Sequence, residues 1–308
     1  MDKSAAASRE ATIADRFGSG VMLAAAGTFF FALKSIFIKF AFAAGATPVL
    51  LLTIRLLFSL PFYIGVLVYL RRDPNRRPMT SGDAVWALLA GFFGFYLAAI
   101  LDLYGLQLIS AQLERLTLFT YPTIVAVMAW LFLGEKINGK IIAAIVTCYA
   151  GVIVMYSGEK TMTSGPDLGL GVLFVFGAAL SYSLYILMAK PRMDRIGSLA
   201  FTSWAMVGST FYVCIQFLAT QEAVSLFQAN SMVYVYGMIL GFVCTVLPTF
   251  MINEAIVRLG ATRTTIIGSV GPALTMILAI VLLNEPSSPR HFAGMILAVI
   301  GVSLVARK

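Results

Sequence analysis

Charge is scarce in this chain. Asp, Glu, Lys and Arg supply only 12% of its 308 residues, about half of what a soluble domain carries. That shortage excludes an ordinary water-exposed globule. Histidine occurs once, as His291, and cysteine three times, as Cys148, Cys214 and Cys244. All three cysteines fall inside apolar stretches, so neither a disulfide framework nor zinc-ligand spacing is present, and they read as small buried hydrophobes. A lone histidine without a neighbouring nucleophile gives no catalytic constellation. No metal, cofactor or enzymatic activity is expected. Long polar segments are missing too: the longest are 71–82, 158–167 and 220–231, which leaves no room for a soluble domain.

Apolar length is abundant. Hydrophobic residues make 60% of the chain, and the mean hydropathy is +0.91. An apolar helix of about 20 residues spans a bilayer core. Ten stretches of that kind can be counted, at 18–40, 47–70, 84–107, 112–133, 139–157, 168–189, 197–219, 232–256, 262–283 and 289–306. The expected fold is an all-α polytopic membrane protein with ten transmembrane helices. Lys and Arg resist translocation and collect on the cytoplasmic side. With the N-terminus inside, 16 of the 22 basic residues lie in cytoplasmic segments, three in outer links and three within spans. Both termini are then cytoplasmic. The net charge of +8 reads as a topology signal spread over short links, so nucleic acid is not an expected partner; the lipid bilayer is.

The chain also repeats itself. TLFTYPTIVAVMAWLFLGEKI starts at Thr117 and IGSVGPALTMILAIVLLNEPS at Ile267, so that Pro122 matches Pro272 and Glu135 matches Glu285, each 150 positions on. Gly151 and Gly301 keep that offset, while Gly20 and Lys39 match Gly171 and Lys190 at 151. Five spans per half is an odd number, so the halves face opposite ways: two inverted five-helix repeats, a common architecture of secondary transporters. The expected organisation is a cytoplasmic segment at 1–17, a first repeat at 18–157, a periplasmic linker at 158–167 and a second repeat at 168–308.

Pro-x12-Glu with a glycine sixteen residues further on, in both halves, resembles the EamA-type repeat of the drug/metabolite transporter superfamily. The second copy, PALTMILAIVLLNEPSSPRHFAGMILAVIGVSLV, is the closer match; the first has Ala144 where the second has Gly294. The chain is similar in this respect to bacterial aromatic amino-acid exporters. The resemblance implies ten helices around a central cavity in the bacterial cytoplasmic (inner) membrane, with helices 1, 3, 4, 6, 8 and 9 lining it, and it implies export.

Charges inside the bilayer cost about 3 kcal/mol or more and normally face a partner or a cavity. Lys34 shares a helix side with Gly27, Phe30 and Phe31; it is a candidate cation for a substrate carboxylate, or one half of a structural ion pair. Lys39, nearer the helix end, reads as snorkelling outward. Asp102 and Arg55 lie in the same outer third as Lys34. An Asp102 salt bridge with Lys34 or Arg55 locks that region, or acts as a gate. Glu114 and Arg115 start a span and read as interfacial. Glu254 is placed to pair with Arg258 four residues on, or to serve as an inner gate. Ser181, Tyr182 and Tyr185 share one side of helix 6; with Tyr96 and Tyr121 they are candidate lining residues. Pro122, Pro272 and Pro248, together with Gly268 and Gly271, are candidate hinges, because proline removes a helical hydrogen bond. Glu135 and Glu285 suggest a fold-level role, tying a helix end to another segment.

The reading that follows is a secondary carrier exporting small zwitterionic metabolites, aromatic and other neutral amino acids, by alternating access. A carrier of drugs or other organic metabolites, or of anionic, phosphorylated ones, is the alternative. Helix 1 carries Lys34 and no carboxylate, which argues against cation exchange. Lys34 and Arg55 alone are few cations for a phosphate. Proton coupling through Asp102 or Glu254 stays open, as does a monomer against a homodimer.

Overall fold

A computed structural model describes residues 3–72, 79–162, 167–220 and 225–306. Arg76 and Arg77, Arg307 and Lys308, all counted above as cytoplasmic, lie outside the described residues. The described chain is almost wholly helical, with no strand among the described residues. The helices are α1 (Lys3–Ala43), α2 (Pro48–Arg71), α3 (Ser81–Leu108), α4 (Ala111–Leu133), α5 (Gly139–Met162), α6 (Leu168–Ile196), α7 (Ser198–Thr220), α8 (Ser231–Leu259), α9 (Ala261–Gly268 and Gly271–Leu283) and α10 (Pro289–Ala306). A single turn, Ser225–Gln228, precedes α8. Among the described residues nine helices are long and apolar enough to cross a membrane. The apolar run of α10 covers only Pro289–Leu304, roughly 24 Å at helical rise, short of a bilayer core of about 30 Å. The ten expected spans are thus nine and a shorter tenth.

Local chemistry sets the ends. Thr47 accepts the Leu50 N–H, with Pro48 at the first helical position of α2, where its missing N–H costs nothing. Thr80 and Asp83 form a reciprocal capping box at the start of α3, satisfying two orphan donors. Ser110 caps α4. The helices α4 and α9 both end on a left-handed residue, Gly134 (φ 68°) and Asn284 (φ 51°), residue types that tolerate this conformation.

The repeat seen in the sequence becomes a set of duplicated contacts. A Cβ on Gly151 would lie 2.5 Å from the Gly294 oxygen, and one on Gly301 would lie 2.8 Å from the Ala144 oxygen. The partners exchange by the 150-residue offset, and they show α5 and α10 running antiparallel. Likewise a Cβ on Gly91 would collide with the Ala205 oxygen and one on Gly241 would lie 2.7 Å from the Arg55 oxygen, so α3 meets α7 as α8 meets α2. Gly20 packs on Leu259 and Gly171 on Ile109, so α1 meets α8 as α6 meets α3. Small residues at such crossings let backbones approach closely.

Irregularities are duplicated as well. A π-helical turn interrupts α3 at Phe92–Leu97 and α8 at Phe242–Val246. The helix α4 is broken at Phe119 and Thr120, and α9 at Ser269 and Val270. Pro122 and Pro272 stand in the first turn of the pieces that follow, Tyr121–Leu133 and Gly271–Leu283. Here proline opens a new helix rather than bending a continuous one. Pro248 sits directly after the second π turn. Gly268 and Gly271 flank the break in α9, near Thr28 of α1.

Candidate functional site

The α1 helix carries a ladder of polar contacts. Lys34 Nζ donates to Asp102 Oδ2 on α3 at 2.7 Å. Of the two partners weighed for Asp102, the structure selects Lys34; Arg55 Nε instead donates to Thr245 Oγ1, 3.0 Å away in the π turn of α8. One residue on, Ser35 Oγ donates to Glu114 Oε2 at 2.6 Å. Lys39 Nζ reaches the carbonyl of Ile109, the residue that caps the C-terminus of α3, at 2.7 Å, where a cation complements the helix dipole. It does not snorkel.

Glu114 and Arg115 are not interfacial. Glu114 is fully buried. Its carboxyl neighbours that of Asp102, the two being held by the adjacent α1 residues Ser35 and Lys34. Arg115 is half-buried with its Nε buried. A Cβ on Gly271 would lie 3.6 Å from Arg115 Nη2, so the guanidinium reaches the break in α9. Its charge also acts on the hydroxyls of Tyr121 and Tyr182. The sequence reading missed both residues because they follow a helix start. Ser35 and Asp102, which enclose Glu114, are distant in sequence.

The tyrosines divide into two groups. Tyr121 meets Tyr182 edge-on with ring centroids 5.3 Å apart, and Tyr182 stacks on Tyr185 at 5.6 Å. Tyr185 covers Gly94, where any side chain would collide with its ring. Ser181 Oγ donates to the Phe93 carbonyl inside the first π turn, at 2.7 Å. This hydroxyl serves the backbone rather than a free lining. Tyr96 pairs with Phe92 and Tyr212, and Phe30 with Phe29, so neither joins the trio of Tyr121, Tyr182 and Tyr185.

Both ends of the bundle are tied. At one end Glu254 accepts from Arg258 Nε at 2.8 Å, and Arg258 Nη1 donates to Ser19 Oγ at 2.7 Å, linking α8 to α1. At the same end the buried Asp83 pairs with Arg192 and Arg195 of α6, and Arg192 stacks over Trp86 at 5.5 Å. At the other end two glutamates cap α4 from outside it. Glu159 accepts from the Ser110 N–H and hydroxyl, and Glu285 from the N–H groups of Ala111 and Gln112. Carboxylates stabilise a helix N-terminus through its free N–H groups and dipole. Glu285 thereby ties a helix end to another segment. Two cavities lie on the flanks: one of about 340 Å³ between Phe58, Phe62, Met238 and Phe242, and one of about 400 Å³ beside Trp86, Phe132 and Arg192.

A two-repeat helical bundle with paired breaks and an intramembrane charge cluster defines a membrane transporter, and the comparisons say which kind. The EamA-like transporter family model matches residues 18–157 and again 169–307, and the chain belongs to that family, within the drug/metabolite transporter superfamily. It is similar to the uncharacterized transporter YcbK of Bacillus subtilis (strain 168), with 28% identity over 87% of this chain and 86% of that one. The uncharacterized transporter YetK of the same organism is 25% identical over 75% and 70%. A crystal structure matches the fold with a TM-score of 0.60 at 17% identity, covering 93% of this chain and 96% of its own.

Proposed function

We propose that this transporter is a secondary carrier exporting small zwitterionic metabolites, aromatic and other neutral amino acids, across a bacterial cytoplasmic membrane. Ten spans, with both termini cytoplasmic, form two inverted repeats that alternate access to a central site. The observation that carries the substrate class is Arg115. Its guanidinium reaches the α9 break at Gly271, and Arg115 precedes the α4 break after which Tyr121 opens the second piece. Half-helix N-termini at mid-membrane suit an anionic substrate group. A carboxylate held there places an aromatic side chain against Tyr121, Tyr182 and Tyr185. Lys34 and Asp102 then act as the ion pair that substrate entry opens, with Lys34 within reach of the carboxylate.

Counterflow of radiolabelled phenylalanine in proteoliposomes, without an ion gradient, tests this reading. Accumulation driven by trapped unlabelled phenylalanine is expected, and Arg115→Gln is expected to reduce it at least tenfold. Counterflow that is absent for phenylalanine but present for an organic cation or a phosphorylated metabolite overturns the zwitterion assignment.

A further inference from the structure

Asp102 and Glu114 present a balance of donors that two ionised carboxylates cannot meet. Asp102 is 3% exposed and Glu114 fully buried. Lys34 supplies Asp102 Oδ2, and Ser35 supplies Glu114 Oε2. The other two oxygens, Asp102 Oδ1 and Glu114 Oε1, are buried without a donor. The two groups are neighbours, held by adjacent residues of α1, Lys34 and Ser35. Ionised carboxylates only accept hydrogen bonds, whereas a protonated one also donates. One proton shared between Oδ1 and Oε1 would give both orphan atoms a partner.

We infer that Asp102 and Glu114 form a proton-binding site, sharing one proton between Oδ1 and Oε1, and that the transport cycle loads and releases it. The charges around the pair are basic, so loading the proton leaves a net positive cluster. Lys34 and Lys39 face the pair from α1, Arg115 follows Glu114 on α4, and Arg55 acts on Asp102 from α2. Cys244 of α8 lies close to Lys34 and Arg55, and Tyr182 of α6 close to Arg115. Lys39 is met by Glu159 and Glu285 as well as by Glu114, whereas Lys34 and Arg115 act on both members of the pair. With the proton in place those two cations face one anionic charge; without it they face two. Loading and release change the interior charge by one unit beside Arg115, and the proton is exchanged with water at whichever end is open. The site stands on the carboxyl pair; only its link to amino-acid movement rests on the function proposed above.

Infrared difference spectroscopy of the purified full chain tests the site without any substrate. A protonated buried carboxyl, one per chain, is expected at neutral pH, with a band that shifts in D₂O. It should vanish in Glu114→Gln and move rather than vanish in Glu114→Asp, with Asp102→Asn as an independent variant should either fail to fold. Absence of the band from the wild type, or its persistence unchanged in every folded variant, overturns the inference. In proteoliposomes, an imposed pH difference is expected to drive net phenylalanine movement. Phenylalanine counterflow that responds to no pH difference overturns the coupling. Absent counterflow alongside an intact infrared band refutes the substrate class and leaves the proton site standing.

Discussion

Replacing Lys34 with methionine strands the Asp102 carboxylate. The pair is 2.7 Å apart, with side chains 13% and 4% exposed, and removing one partner of such a pair costs about 3–5 kcal/mol, because the remaining charge stays buried. The two singles should differ. Lys34→Met leaves the buried Asp102 Oδ2 without the cation it accepts from, so the full cost applies. Asp102→Asn leaves Lys34 with Glu114 still close, so the cost falls to about 2 kcal/mol. The double variant removes both charges and keeps similar volumes, and replacing a buried pair wholesale is often near neutral. A double-mutant cycle should therefore return a coupling energy of at least about 2 kcal/mol. Reversible unfolding in mixed micelles, followed by far-ultraviolet circular dichroism, gives the four stabilities. Singles that simply add would refute the claim that this pair is one buried unit.

Other consequences follow from the same geometry. Gly91→Ala and Gly241→Ala each drive a methyl into a backbone oxygen, at 2.2 and 2.7 Å, and should lower stability by about 1–3 kcal/mol or more; Gly177→Ala, whose nearest contact is 3.4 Å away, is the tolerated control in the same thermal melt. Lys34→Ala should weaken counterflow more than Lys39→Ala, since Lys39 is held by a helix-end carbonyl, and equal losses would remove Lys34 from the transport path. Burial pushes the Glu285 carboxyl above its ordinary range. A group whose folded pKa is raised contributes stability below its unfolded pKa and loses it as pH rises through the folded value. Wild-type stability should thus decline across that window, and Glu285→Gln should flatten the decline while losing about 0.5–2 kcal/mol of cap.

The repeat was legible because Pro122 and Pro272, Glu135 and Glu285, keep their spacing, and because each proline marks a helix start that must recur wherever the backbone breaks. Lys34 and Asp102 were legible because charges inside an apolar run demand partners. The π turns were not. Phe92 and Phe242 coincide in the two halves, yet a π turn is an insertion into a continuous helix with no local residue signature. Glu114 was misread for a physical reason. Four residues into a helix is only about 6 Å along its axis, which suggests water, but the capping glutamates Glu159 and Glu285 come from other segments and seal that end. Arg115 turned out to lie inward for the same reason.

In the alternating-access cycle proposed above, two halves with matching contacts would, by themselves, make the inward- and outward-open forms related by a two-fold rotation and equal in energy. The charge cluster removes that degeneracy. At the repeat offsets, Lys34 corresponds to Tyr185, Asp102 to Ile252 and Glu114 to Thr264, so no second ion pair forms when the halves trade roles. The frame is symmetric and its filling is one-sided. If the carrier alternates access as proposed above, its resting bias is set by three side chains in the first half, and a change there should tilt the balance between its two openings while the duplicated backbone contacts hold the frame unchanged.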